Sequence, residues 1–235
     1  MRNQSFVATS TRARIRGWAV PVALAFGRLG LTPNALTVIG FAGTCAAAIA
    51  AASQQWVVAG VLVIVFGIFD LFDGALARAT GKASKFGAFL DSTLDRTGEN
   101  LVLAGVALGC AVAGFPLGTG LAALAMAFAS VVTYTRAKAE VVGVHGEVGV
   151  APRPERLVLL ALGLIVGGLV GPIGPLEFAC PSDLLISCMP PDAYVAADTV
   201  LALALGLIAL LSAITVIQRI IHVRRQLDSQ QQEIP

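Results

Sequence analysis

Asp70-Leu71-Phe72-Asp73-Gly74-Ala75-Leu76-Ala77-Arg78, followed after eight residues by Gly87-Ala88-Phe89-Leu90-Asp91-Ser92-Thr93-Leu94-Asp95, sets four aspartates into an otherwise apolar chain. Carboxylates beside hydrocarbon are costly and persist only where they have a partner or a function. Residues three or four apart share a helical face, so Asp70 pairs with Asp73 and Asp91 with Asp95 on two successive helices. The turn between them, Thr80-Gly81-Lys82-Ala83-Ser84, brings the two helix ends together. The spacing therefore predicts four converging carboxylates at one end of a helical pair.

The chain around this stretch reads as membrane-embedded. Of its 235 residues 57% are hydrophobic and 13% charged, and the mean hydropathy is +0.83. A soluble domain carries about a quarter charged residues. Apolar runs of about 20 residues, enough to cross a bilayer, recur at 34–52, 56–79, 88–113, 117–142, 154–171 and 196–221. The expected fold is all-α, a polytopic membrane protein with six transmembrane helices. Thr32-Pro33-Asn34 gives the first span a cap and turn signal. Residues 11–29 mix Arg12, Arg14, Arg16 and Arg28 with Ile15, Trp18, Val20, Val22, Leu24 and Phe26, the pattern of an amphipathic helix lying on the membrane surface. Arginines running straight into Trp18 do not form a cleavable signal peptide. We expect one membrane domain over 1–235: a juxtamembrane arm and helix (1–30), a six-helix bundle (31–222) and a polar tail (223–235). There is no internal repeat of the kind many transporters carry.

Charge distribution orients the bundle. With the N-terminus inside, all 16 Lys and Arg fall in the N-terminal arm, the 80–88 turn, the 143–153 loop, the C-terminal tail or the helix ends beside them. The long connection 172–195 instead holds Glu177, Asp183 and Asp192. The positive-inside rule then puts both termini and the four aspartates on the cytoplasmic side of a cell membrane. The net charge of +2 says little, and no nucleic-acid partner is expected. Cys45 and Cys110 lie in apolar runs as packing residues. Cys180 and Cys188 share a polar loop and can pair only if it faces an oxidising compartment; no His accompanies them to suggest zinc.

Four oxygen-only ligands suit Mg²⁺ or Mn²⁺, and Ca²⁺ by size. Two such ions about 3.5–4 Å apart serve a phosphoryl or phosphodiester displacement. Gly74, Ala77 and Gly87 leave the facing surface open to a ligand, and Arg78, one turn from Gly74, can pair with a pyrophosphate. The competing explanations are buried ion pairs with Arg78 and Arg96, and a cation-translocation site. Four acids outnumber two arginines, and a translocation site belongs near the bilayer midplane.

The order Asp-x2-Asp-Gly-x2-Ala-Arg-x8-Gly-x3-Asp-x3-Asp resembles the signature of the CDP-alcohol phosphotransferases, with all eight fixed positions present. The resemblance implies an integral membrane enzyme, a homodimer, that displaces CMP from a CDP-linked lipid such as CDP-diacylglycerol with an alcohol hydroxyl. It implies two bound Mg²⁺ or Mn²⁺ ions with Asp70, Asp73, Asp91 and Asp95 around them, and Asp95 as general base. Gly74, Ala77, Arg78, Ser84 and Gly87 would line the donor site by their place in the motif. Thr32, Pro33, Asn34 and Ala35, with Thr37, would form the nucleotide-contacting turn. Gly105, Gly109 and Ala113 are small enough for close helix packing.

A second cluster bears on the acceptor: Arg136 and Lys138, Arg153 and Arg156, and Arg219. Positive-inside anchoring explains any one of them. Yet Arg153-Pro-Glu-Arg156 opens a helix, where a cation opposes the helix dipole, and such a cluster can bind an anion. Together with Asp95-Arg96-x2-Glu99 it resembles the phosphatidylinositol phosphate synthase branch, which implies that these five cations hold the phosphate of inositol 1-phosphate. Where that branch often has Lys-x-Arg or Arg-x-Arg, this chain has Arg136-Ala-Lys138. Glycerol 3-phosphate is the alternative acceptor.

Overall fold

The computed structural model of the chain describes residues 20–174 and 191–232. Regular structure among them is entirely helical: a short segment at 20–28, then α1 (Pro33–Ala52), α2 (Trp56–Ala79), α3 (Lys85–Val112), α4 (Pro116–Val141), α5 (Arg153–Val170) and α6 (Pro191–Gln232). The five helices α1–α5 start and stop within three residues of the expected spans. The sixth does not: α6 runs for 42 residues, about 63 Å at the helical rise. The expected polar tail is thus helical through Gln232, because Arg224 reaches Asp228 one turn on (3.7 Å) and nothing in 222–232 breaks the helix. Residues 1–19, with Arg12, Arg14, Arg16 and Trp18, and the Cys180–Cys188 loop lie outside the described residues.

Local chemistry sets the boundaries. Thr32 caps α1 by accepting from the Ala35 N–H (3.2 Å), with Pro33 at the first helical position. Ser84 does the same for α3, accepting from Gly87 (3.0 Å). Gly81 (φ 65°) and Gly143 (φ 79°) take the left-handed conformation just after α2 and α4, where a Cβ would be strained.

The helices close into a ring, each packing on two others: α1 on α2, α2 on α5, α5 on α6, α6 on α4, α4 on α3 and α3 back on α1. Small side chains allow this closeness. Gly105 and Gly109 of α3 lie against the Ala48 and Ala51 carbonyls of α1, so their packing role is within the chain. Ala47, Ala51, Ala59, Val106, Cys110, Leu164, Leu201 and Leu205 fill the interior. Ile49, Leu108, Leu169, Leu203 and Leu210 point outward and are exposed.

Among the described residues, four helices are long and apolar enough to cross a membrane: α1, α2, α4 and α6, whose most apolar stretches have mean hydropathies of 1.9, 2.2, 1.6 and 2.8. This is the composition of a multi-pass membrane protein. Helices α3 and α5 are not among them, since α3 carries Asp91, Asp95, Arg96 and Glu99 and α5 opens with Arg153, Glu155 and Arg156.

The ring depends on the α1–α3 contact. Gly105→Leu or Gly109→Leu would drive a side chain into backbone, which cannot yield without separating the helices. We expect either to lower stability by about 1–3 kcal/mol, read as a fall in the thermal midpoint in detergent, while Gly120→Leu, at a site open to space, leaves it unchanged.

Candidate active site

Helices α2 and α3 carry the acids, and three of the four expected to converge do so. Asp70, Asp91 and Asp95 each place a carboxylate oxygen within 4.8 Å of the others. Asp73 is held slightly apart and buried. One of its oxygens accepts from Thr37 Oγ1 of α1 (2.7 Å) and the other from the Gly74 N–H. Asp73 therefore stitches α1 to α2 beside the cluster.

The cation facing this cluster is Arg153, the first residue of α5. Its Nη1 lies 2.9 Å from Asp70 Oδ2 and 2.5 Å from Asp95 Oδ2. Neither arginine of the competing ion-pair explanation fills this role. Arg96 pairs with Glu99 (3.5 Å), and Arg78 folds back against Gly74.

Divalent cations fit this donor set. The three converging groups offer only oxygens, as hard cations require. Asp91 Oδ1 is buried with no hydrogen-bond partner, a lone pair left for a ligand. One guanidinium also under-compensates three carboxylates.

A cavity of about 210 Å³ adjoins the acids between α1, α2 and α3. Eight of the expected donor-site residues line it: Pro33, Asn34, Thr37, Gly74, Ala77, Arg78, Ser84 and Gly87, together with Lys82, Asp73 and Asp91. Thr32 and Ala35 are not in its lining; they form the cap of α1. The cavity lining thus combines two cations, Arg78 and Lys82, with two acids, Asp73 and Asp91.

The five basic residues expected around the acceptor divide by engagement. Arg153 is on the acids. Arg156 is fully buried and locked: Nε and Nη2 meet both Glu99 oxygens (2.8 and 3.0 Å), and Nη1 donates to the Ala151 carbonyl (2.8 Å). Arg219, buried on α6, donates through Nε to the Val148 carbonyl (2.8 Å) and through Nη1 to the Val132 carbonyl. Arg136 is exposed and pairs with Glu140 (3.2 Å) and Glu147 (2.5 Å). Lys138 sits 5.6 Å from the Tyr134 ring centroid.

Glu99 carries no expected role, yet it fixes α5. It lies one turn beyond Asp95 and is buried, and an acid there requires a partner. The loop into α5 is also fastened from α6. The Ala151 N–H donates to Thr215 Oγ1 (3.2 Å), and the Gln226 side chain bonds both backbone groups of His145 (3.3 and 2.9 Å).

Residues 30–223 match the CDP-alcohol phosphatidyltransferase family. The chain belongs to that family. It is 36% identical over 218 residues to a phosphatidylinositol phosphate synthase of Cutibacterium acnes, covering 91% of this chain and 97% of that protein. It is 42% identical over 133 residues to an archaetidylinositol phosphate synthase of Pyrococcus horikoshii, covering 56% and 68% respectively. The fold is similar to the Mycobacterium tuberculosis phosphatidylinositol phosphate synthase solved with CDP-DAG bound, with a TM-score of 0.70 and 29% identity over 87% of this chain and 92% of that one. The same mycobacterial enzyme solved with manganese and citrate gives a TM-score of 0.69 at 30% identity, covering 87% and 88%.

Breaking one side of a buried ion pair leaves the other charge uncompensated. Glu99→Ala should therefore cost about 3–5 kcal/mol, seen as a lower unfolding midpoint in detergent. Arg136→Ala, whose pairs are exposed, should leave the midpoint near that of the unaltered chain.

Proposed function

We propose that this enzyme transfers a phosphatidyl group from CDP-diacylglycerol, or a closely similar CDP-linked lipid, to the hydroxyl of inositol 1-phosphate and releases CMP. The observation that carries the proposal is the placement of the three clustered aspartates. Asp91 lines the cavity that also holds Arg78, Lys82 and Asn34, while Asp70 and Asp95 meet Arg153 at the start of α5. A donor pyrophosphate in the cavity and an anionic acceptor at the cationic helix start would then share one carboxylate cluster. The related synthases differ in name between phosphatidyl and archaetidyl lipids but share inositol phosphate, which favours this acceptor over glycerol 3-phosphate.

In this reading Arg78 and Lys82 bind the diphosphate and orient it, while Asn34 and Thr37 face the nucleotide. Gly74 and Gly87 let the donor lie close to the helix backbones. Asp95 takes the proton from the acceptor hydroxyl. The acceptor oxygen then bonds to the lipid-bearing phosphorus, the phosphoanhydride bond breaks, and CMP leaves with its electron pair. Asp70, Asp91 and Asp95, with Asp73 beside them, would hold the divalent cations, which would supply charge neutralisation on the pyrophosphate. Arg153 and Lys138 contribute positive charge for the acceptor phosphate. Arg156 and Arg219 support it from below by fixing the 143–153 segment.

We also propose that all six helices span the bilayer as one domain, with the residue 11–29 region on its surface and the aspartates at the cytoplasmic face. The arginines of α5 and the charges of α3 would sit inside the ring, away from lipid. The distribution of Lys and Arg supports this orientation.

Purified protein with CDP-diacylglycerol and Mn²⁺ should release CMP only when inositol 1-phosphate is added, and excess EDTA should stop it. Asp95→Asn should lower the rate by about 10²–10⁴-fold, and Asp91→Asn should abolish turnover while the protein remains folded. Activity near the unaltered level in Asp95→Asn would remove it as the base. Arg78→Ala should raise the donor KM more than the acceptor KM.

A further inference from the structure

The two arginines at the start of α5 are held in opposite ways. Arg156 spends Nε, Nη1 and Nη2 on Glu99 and Ala151 and has no freedom to move. Arg153, one turn earlier, rests on Asp70 and Asp95 through the single atom Nη1. Its Nε is buried without a partner. A guanidinium carries five donors in a rigid fork, so this one is under-used where it stands. It also lies at a helix N-terminus, which disfavours a cation and favours an anion.

Asp70 and Asp95, the two carboxylates that Arg153 touches, are two of the three whose oxygens converge to ligand distance. A divalent ion on those oxygens and a guanidinium on the same groups repel each other. The third carboxylate, Asp91, keeps a buried oxygen that Arg153 does not reach. An incoming cation therefore has a free ligand from which to begin.

We infer that Arg153 is a displaceable counter-cation of the aspartate cluster, which a divalent metal ion must expel and which, once expelled, becomes available to the acceptor phosphate. The inference rests on the proposed reading of the cluster as a divalent-cation site and adds an order to it. Arg153 on Asp70 and Asp95 offsets part of the acidic charge and keeps the general base Asp95 occupied. With metal, Asp95 is released from its ion pair and the guanidinium turns to the anionic acceptor. Metal and acceptor phosphate then bind with positive coupling, since each removes Arg153 from where it hinders the other. Glu99 and Arg156 hold the helix start fixed, so the displacement is a side-chain movement.

Mn²⁺ binding to the purified full chain, followed by electron paramagnetic resonance of the free ion, tests this without turnover. Arg153→Gln should bind Mn²⁺ tighter by about tenfold or more, because the competitor is gone. Equal or weaker binding overturns the displacement while leaving the metal site intact. Mn²⁺ binding of the unaltered chain that is indifferent to Asp91→Asn would instead overturn the metal site, and the inference with it. A structure of the unaltered chain solved with Mn²⁺ needs no variant. Arg153 Nη1 should lie beyond hydrogen-bond distance of both Asp70 and Asp95, and persistence of both pairs refutes the proposal.

Discussion

Three carboxylates within 4.8 Å of one another at one end of an apolar bundle repel, and much of the surrounding structure answers that repulsion. Arg153 lies across Asp70 and Asp95. Thr37 and the Gly74 amide take up Asp73. Asp91 keeps an oxygen with no partner. The arrangement is incompletely neutralised, as a site for a divalent cation and a pyrophosphate must be. A fully satisfied network would have no affinity left for either.

The ring of helices makes this possible. The acids come from α2 and α3, but their cation comes from α5, more than fifty residues further on. α5 reaches them because the ring order sets it beside α2. Its first turn is then fixed by the buried Glu99–Arg156 pair, and the loop before it by Thr215, Arg219 and Gln226 of α6. These polar groups all act on the position of one short segment.

The site was legible in the sequence where its geometry is local. Asp70 to Asp73 and Asp91 to Asp95 are helical spacings, and Gly74, Ala77 and Arg78 share the same short stretch, so the approach of the acids and the lining of the cavity beside them follow from local spacing, although Asp73 turns to Thr37 and the Gly74 amide. The pairing of Arg153 with the acids, and the locking of Arg156 by Glu99, depend on which helices are neighbours in the ring, and no periodicity encodes that. Arg219 shows the same limit: nothing in its spacing foretells that its Nε and Nη1 donate to the Val148 and Val132 carbonyls. The continuation of α6 past the apolar run was hidden because Arg224, Asp228 and the glutamines are polar yet good helix formers. Gly105 and Gly109 were legible as packing residues, but not which helix they would pack against.

The central claim is that the clustered aspartates join a CDP-linked lipid to an acceptor that already carries a phosphate. The most direct measurement is mass spectrometry of the lipid formed from CDP-diacylglycerol, Mn²⁺ and an equimolar mixture of inositol 1-phosphate, glycerol 3-phosphate and free inositol. The account predicts phosphatidylinositol phosphate as the dominant product. Phosphatidylinositol or phosphatidylglycerol phosphate in excess would contradict it.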